Sequence, residues 1–81
     1  MPTVLRKDGF KVIIYFDDHL PAHVHVISGD SEVKIDLGSL AHLPQIMQFH
    51  GKRSEAVKAL ALVTTHQIEL LVAWRQIHGT P

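Results

Sequence analysis

The stretch of residues 17–37, which reads DDHLPAHVHVISGDSEVKIDL, decides the fold of this chain. On both sides of Gly29-Asp30, apolar and polar residues alternate with a period of two, which predicts two half-buried strands. Glycine supplies the positive φ that a type II′ turn requires at its first central position. Gly29-Asp30 therefore predicts a two-residue hairpin.

The turn determines which residues of the two strands face each other. A two-residue turn at Gly29-Asp30 places His25 opposite Lys34 and His23 opposite Asp36. A register shifted by one residue would turn every side chain of the strand to the other face. The apolar face of the hairpin is then formed by Val24, Val26, Val33 and Ile35. The opposite face, which we call the histidine face, is formed by His23, His25, Lys34 and Asp36.

Asp8-Gly9 predicts a second hairpin near the N-terminus. It places Leu5 opposite Val12, Arg6 opposite Lys11, and Thr3 opposite Ile14. The β-branched and aromatic run 12–16 is typical of a central strand, so Val12, Ile14 and Phe16 are expected on the apolar face.

The C-terminal half predicts helices. Residues 40–51 predict a short helix, and Ser54 is expected to cap a long helix over residues 55–78 that ends at Gly79 and Pro81. The predicted fold is therefore α+β, of order ββββαα. A four-stranded antiparallel sheet is built from two hairpins, and a short helix and a long C-terminal helix pack on its apolar face.

The composition is that of an ordinary globular domain. Eighty-one residues, 46% hydrophobic and 20% charged, predict a single domain over residues 1–81. The chain has no cysteine, no long apolar N-terminal region and no uninterrupted apolar window of membrane-spanning length, so we expect a cytoplasmic protein that does not enter a membrane. The formal net charge of zero argues against nucleic-acid binding, which normally requires a basic excess.

The predicted long helix is apolar around most of its circumference. Its stripe consists of Val57, Leu60, Ala61, Thr64, Ile68, Leu71 and Val72, and it is widened by Ala56, Val63, Leu70, Trp74 and Ile77. One small sheet cannot cover so wide an arc. Either the short helix covers the remainder, or a second copy of the chain or a small partner protein binds there.

The histidine face and the preceding His19 are the candidate site, and three interpretations stay open. His19, His23 and His25 could bind a divalent metal ion such as Zn²⁺, Mn²⁺ or Fe²⁺, with Asp17, Asp18 or Asp36 completing the set of ligands. Alternatively, His23, His25, Lys34 and Asp36 could act without metal as acid–base or phosphate-contacting catalytic groups. In that case Asp36 would orient His23, and Lys34 would disfavour protonation of His25. Thirdly, the face could simply be solvated.

Several quoted stretches resemble one known family. These are the opening MPTVLR, the central DDHLPAHVHV, the Gly-Asp turn with Lys34 after it, and the late ELLVAW. Together they are similar to the bacterial family called domain of unknown function 4160. The resemblance implies no established activity. It does imply a toxin–antitoxin-like context, in which the chain would be an interaction module paired with a small protein of the domain of unknown function 2442 type. The alternative is a small nuclease or metal-dependent hydrolase that uses the histidine face.

Overall fold

The computed structural model describes residues 3–79, so the predicted contribution of Pro81 to ending the last helix lies outside the described residues. The elements are β1 (Thr3–Lys7), β2 (Phe10–Ile13), β3 (His23–Ser28), β4 (Ser31–Asp36), β5 (Gln45–His50), α1 (Arg53–Thr65) and α2 (Gln67–His78). The strands form one antiparallel sheet in sequence order, and the chain folds as the predicted α+β class.

The central hairpin confirms the predicted register. His25 pairs with Lys34, and His23 pairs with Asp36. The predicted apolar face is buried: Val24, Val26, Val33 and Ile35 are 0–2% exposed. Gly29 has a φ of 56°, as the turn chemistry required.

The first hairpin is confirmed in part. Leu5 pairs with Val12, and Arg6 pairs with Lys11, but Thr3 pairs with Ile13 rather than Ile14 because the register shifts between Thr3 and Leu5. Strand β2 also ends at Ile13, earlier than predicted. Phe16 therefore lies in a turn and is 73% exposed instead of joining the apolar face.

The prediction of four strands and a short helix within residues 40–51 was wrong. Within the part of the chain that the structure describes, the sheet has a fifth strand, β5, at the edge beside β4. Ile46 pairs with Ile35 and Gln48 pairs with Lys34, so Met47 is the extra residue of a β-bulge. The bulge breaks the period of two, and the apolar positions 46, 47 and 49 consequently resemble a helical spacing.

The single long helix was also wrong, because two helices meet at His66 with a bend of 80°. His66 has φ −108° and ψ 20°, and its N–H is shared between the carbonyls of Leu62 and Val63. Just before the bend, the hydroxyls of Thr64 and Thr65 donate to the carbonyls of Leu60 and Ala61. Such back-bonding by threonine bends helices.

The ends of the helices test the capping predictions. The N-cap of α1 is Lys52, without a side-chain hydrogen bond, so the prediction of Ser54 as the cap was wrong. Helix α2 ends at Gly79 in the left-handed conformation, as predicted.

The bend changes which helix residues are buried. The core face consists of Ala56, Ala59, Leu62, Val63, Leu70 and Trp74, whereas Val57, Ile68 and Val72 of the predicted stripe are at least half exposed. Trp74 is 1% exposed. Leu70 and Trp74, which widen the predicted apolar arc, are therefore covered within this chain and belong to its core.

Gln67, at the start of α2, anchors the loop between β4 and β5. Its Nε2 lies 2.8 Å from each of three carbonyl oxygens, those of Leu37, Ser39 and His42. The loop is tight at Gly38, where an added Cβ would lie 2.3 Å from the carbonyl oxygen of His42. The three contacts of Gln67 fix the β4–β5 loop against the junction of the two helices.

Among residues 3–79, neither helix alone is long and apolar enough to span a membrane. Only when α1 and α2 are taken together, across their bend of 80°, do they reach the length and apolar composition of a membrane span.

Candidate functional site

The connector of residues 17–22 folds back over the histidine face. Its start is a turn in which the N–H of Asp18 donates to the carbonyl of Tyr15 at 3.2 Å, and the N–H of Tyr15 donates to Asp18 Oδ2 at 2.9 Å. Its end is fixed by the N–H of Leu37, which donates to the carbonyl of Ala22 at 2.9 Å. These contacts place the second carboxylate of the connector above the two strand histidines.

Asp18, His23 and His25 converge on one point, and we call them the Asp18 cluster. Asp18 Oδ1 lies 3.3 Å from His23 Nε2 and 3.2 Å from His25 Nε2. One ligand atom from each residue lies within 4.8 Å of the other two. Two imidazoles and one carboxylate are thus arranged so that they could bind a single metal ion.

His23 is more enclosed than a residue on a solvated face. The whole residue is 4% exposed, and its Nδ1 donates to the carbonyl of Pro21 at 2.8 Å. Its ring centroid lies 5.5 Å from that of Trp74. His23 therefore contacts both the connector and α2, so it contributes to the fold as well as to the cluster.

His25 lies between two carboxylates and an aromatic ring. Besides Asp18, Glu32 Oε2 lies 3.6 Å from His25 Nδ1, which is beyond hydrogen-bonding distance. This nitrogen is buried without a hydrogen-bond partner. The Tyr15 ring meets the imidazole edge-on, with 4.7 Å between the centroids.

The surroundings of Asp18 favour its ionised form. Burial by itself raises the pKa of the carboxyl group, but the hydrogen bond from the Tyr15 N–H, the contact with His25 and the nearby charges of both histidines outweigh it. The net result is a pKa below the ordinary value of 3.8.

The other predicted site residues lie around the cluster and not in it. His19, predicted as a metal ligand, is exposed and is not one of the three converging residues. Lys34 is the cross-strand partner of His25 and lines an open cleft beside it. Asp36 pairs in register with His23, but its Oδ1 accepts the Gly38 N–H, and the carboxylate that contacts the His23 ring is that of Asp18.

Sequence reasoning did not identify Glu32 as part of the site, and it left Asp18 as one of three alternatives. A signal for Glu32 was available, since the confirmed register pairs it with Ile27, two residues beyond His25 on the same face. The alternation of residues 11–15 did place Tyr15 on the histidine face, but no periodic pattern marks Asp18, because it lies in the irregular connection between β2 and β3.

A second feature is an apolar groove between the connector, the β4–β5 loop and α2. It is lined by Leu20, Pro21, Ala22, Gly38, Ser39, Leu40, Ile68, Leu71, Val72 and Arg75. Within the described residues, four of the nine exposed large hydrophobic side chains line it: Leu20, Leu40, Ile68 and Val72, which are 50–84% exposed. Exposed apolar side chains that cluster around one groove, instead of lying singly, are a feature of binding sites.

Comparison with known proteins identifies the family and nothing closer. No curated protein and no solved structure matches the chain. Residues 9–75, which include strands β2 to β5, the Asp18 cluster, α1 and most of α2, match the family described as Domain of unknown function (DUF4160). The chain therefore belongs to the DUF4160 family.

Proposed function

We propose that this protein is an interaction module that binds a small partner protein through the apolar groove, as one component of a toxin–antitoxin-like pair. The single observation that supports this is the concentration of exposed Leu20, Leu40, Ile68 and Val72 around one groove. A bound partner that buries these side chains would be stabilised by a free energy of about 25 cal/mol per Å² of apolar surface removed from water.

Charge indicates what kind of segment the groove accepts. Of the residues in the described part of the chain, Arg75 is the only charged one that lines the groove. Among the described residues, no carboxylate lies within 4.0 Å of Arg75. Arginine is enriched at protein interfaces, where its planar group pairs with carboxylates. The proposed occupant is therefore an apolar segment of the partner that carries a carboxylate.

Co-expression with a small protein of the domain of unknown function 2442 type, the proposed partner, tests the proposal. Co-purification as a defined complex is expected, as is growth arrest by one component that the other relieves. Val72→Asp should weaken the complex by about 30-fold or more, the effect of losing a central interface contact. Val57→Asp is the matched control, since Val57 is a similarly exposed helical valine outside the groove.

The oligomeric state of the chain alone decides between occupants. Light scattering during gel filtration should show a monomer. A dimer that Val72→Asp dissociates would mean that a second copy occupies the groove and would refute a separate partner. If the proposed partner does not bind and the chain alone is a monomer, the interaction function itself is refuted.

A second candidate function is a small hydrolase or nuclease that uses the histidine face. It is supported by the convergence of His23 and His25 on Asp18. Lys34 lines the adjacent cleft together with Asp30 and Glu32, and it is the cation that would contact an anionic substrate there. His25, whose side chain is 14% exposed, is the accessible acid–base group. His25→Ala should abolish cleavage of a short RNA, while His66→Ala should leave it unchanged. Equal cleavage by all three proteins would reject this candidate.

A further inference from the structure

The tautomer of His23 leaves a lone pair facing a carboxylate. A backbone carbonyl only accepts hydrogen bonds, so the contact with Pro21 requires the proton on His23 Nδ1. In a neutral His23 the Nε2 atom then carries a lone pair, and it faces Asp18 Oδ1 at 3.3 Å. Two acceptors facing each other repel, so a positive charge must lie between them or on the ring.

His25 also has a lone pair that faces a carboxylate, whichever tautomer it adopts. If Nε2 carries the proton and donates to Asp18, the lone pair on buried Nδ1 faces Glu32 Oε2 at 3.6 Å. If Nδ1 carries the proton, the lone pair on Nε2 faces Asp18 instead. The cluster as a whole therefore lacks positive charge.

The distances favour a metal ion over a proton as that charge. Charge-assisted N–H···O hydrogen bonds are about 2.7–2.9 Å long, and the two contacts to Asp18 Oδ1 are longer, at 3.3 and 3.2 Å. Ligand atoms placed tetrahedrally at about 2.0–2.1 Å from a zinc ion are separated from one another by about 3.3 Å. The spacing of each Nε2 atom from Asp18 Oδ1 is therefore that of adjacent ligands.

The groups behind the ligands match a metal site as well. Histidines that bind metals usually donate their other ring N–H to a carbonyl or carboxylate, as His23 does to Pro21. For His25 the nearest group to the other ring nitrogen, Nδ1, is the Glu32 carboxylate, at 3.6 Å. The second oxygen of Asp18 accepts the Tyr15 N–H, which orients the carboxylate and leaves Oδ1 for the ion. Trp74 and Tyr15 supply an aromatic wall.

We infer that Asp18, His23 and His25 bind one divalent transition-metal ion of the Zn²⁺ class, through Oδ1 and the two Nε2 atoms. Three protein ligands leave a coordination position for water, as in catalytic rather than structural zinc sites. The inference deepens the hydrolase candidate by naming its cofactor. It stands independently if no hydrolysis is found, because its test measures binding.

Titration calorimetry of tag-free, chelator-treated full-length protein with ZnCl₂ tests the site. One Zn²⁺ per chain is expected, and a saturating concentration should raise the Tm by about 10 °C. Asp18→Asn keeps the shape of the side chain and should weaken binding by more than about 10-fold, as should His25→Ala. His66→Ala is the matched control, because His66 also contacts a carboxylate, that of Glu69, but is not part of a three-ligand group.

Each result has a defined meaning. Loss of binding in the two cluster variants but not in His66→Ala supports the site. The absence of binding to the wild-type chain, or binding that neither cluster variant weakens, overturns it. Equal loss in His66→Ala also overturns it, because the ion would then be held by surface histidines. The Tm shift of the wild-type chain keeps the test decisive even if a cluster variant fails to fold.

Discussion

Replacing Gln67 by alanine should destabilise the protein and loosen one wall of the groove. The Gln67 amide lies 2.8 Å from three carbonyl oxygens of the β4–β5 loop, but an NH₂ group has only two hydrogens. At most two full hydrogen bonds therefore form at once. At about 1 kcal/mol each, their loss predicts a decrease of about 2 kcal/mol in the free energy of unfolding. The higher helix propensity of alanine offsets only a few tenths of this.

Urea unfolding followed by circular dichroism measures the change, with Gln76→Ala as the control. Gln76 lies on the same helix and is exposed, so its replacement reports the helix-propensity effect alone. Gln67→Glu should be worse than Gln67→Ala, because a carboxylate would then face three carbonyl oxygens. If Gln67→Ala unfolds within about 0.5 kcal/mol of Gln76→Ala, the three contacts do not hold the loop and the reasoning is wrong.

Three further changes have defined outcomes. Trp74→Ala should lower the free energy of unfolding by about 3–5 kcal/mol at any protein concentration, since the ring is buried within one chain; a concentration-dependent loss would instead indicate an intermolecular contact. In metal-free protein, the lowered pKa of Asp18 stabilises the fold above the unfolded pKa of about 3.8 and ceases to do so as the pH falls through the folded pKa, so Asp18→Asn should flatten the decline in urea stability below about pH 4. Replacing Thr64 and Thr65 together by alanine removes the back-bonding beside the bend, and hydrogen exchange should show greater protection of the amide of His66.

The sequence predicted the central hairpin because everything that determines it is local. The Gly29-Asp30 turn and the alternation on each side act over a few residues, and together they permit one register. The same local rules placed His23 and His25 on one side of a strand. They also placed Lys34 and Asp36 across from these histidines.

The features that the sequence did not predict depend in part on contacts between residues that are far apart in the chain. β5 is a strand because β4 offers it an unpaired edge, and the bulge at Met47 conceals its alternation. The helix bends at His66 beside the back-bonded Thr64 and Thr65, and the contacts of α1 with the sheet and of Gln67 with the β4–β5 loop hold its two halves in different directions. Asp18 could not be distinguished from Asp17 or Asp36 as the carboxylate of the cluster, because the direction of its side chain is set by a turn with Tyr15.

The connector of residues 17–22 belongs to both proposed sites. Asp18 supplies a group to the cluster, while Leu20 and Pro21 line the groove and the carbonyl of Pro21 accepts the His23 ring proton. An ion held by Asp18 and His23 would restrain the connector, so the groove would be ordered before its partner arrives and less conformational entropy would be lost on binding. Linkage then requires the partner to strengthen metal binding by the same factor by which the metal strengthens partner binding. If neither ligand changes the affinity of the chain for the other, the two sites do not share this segment as a coupled element.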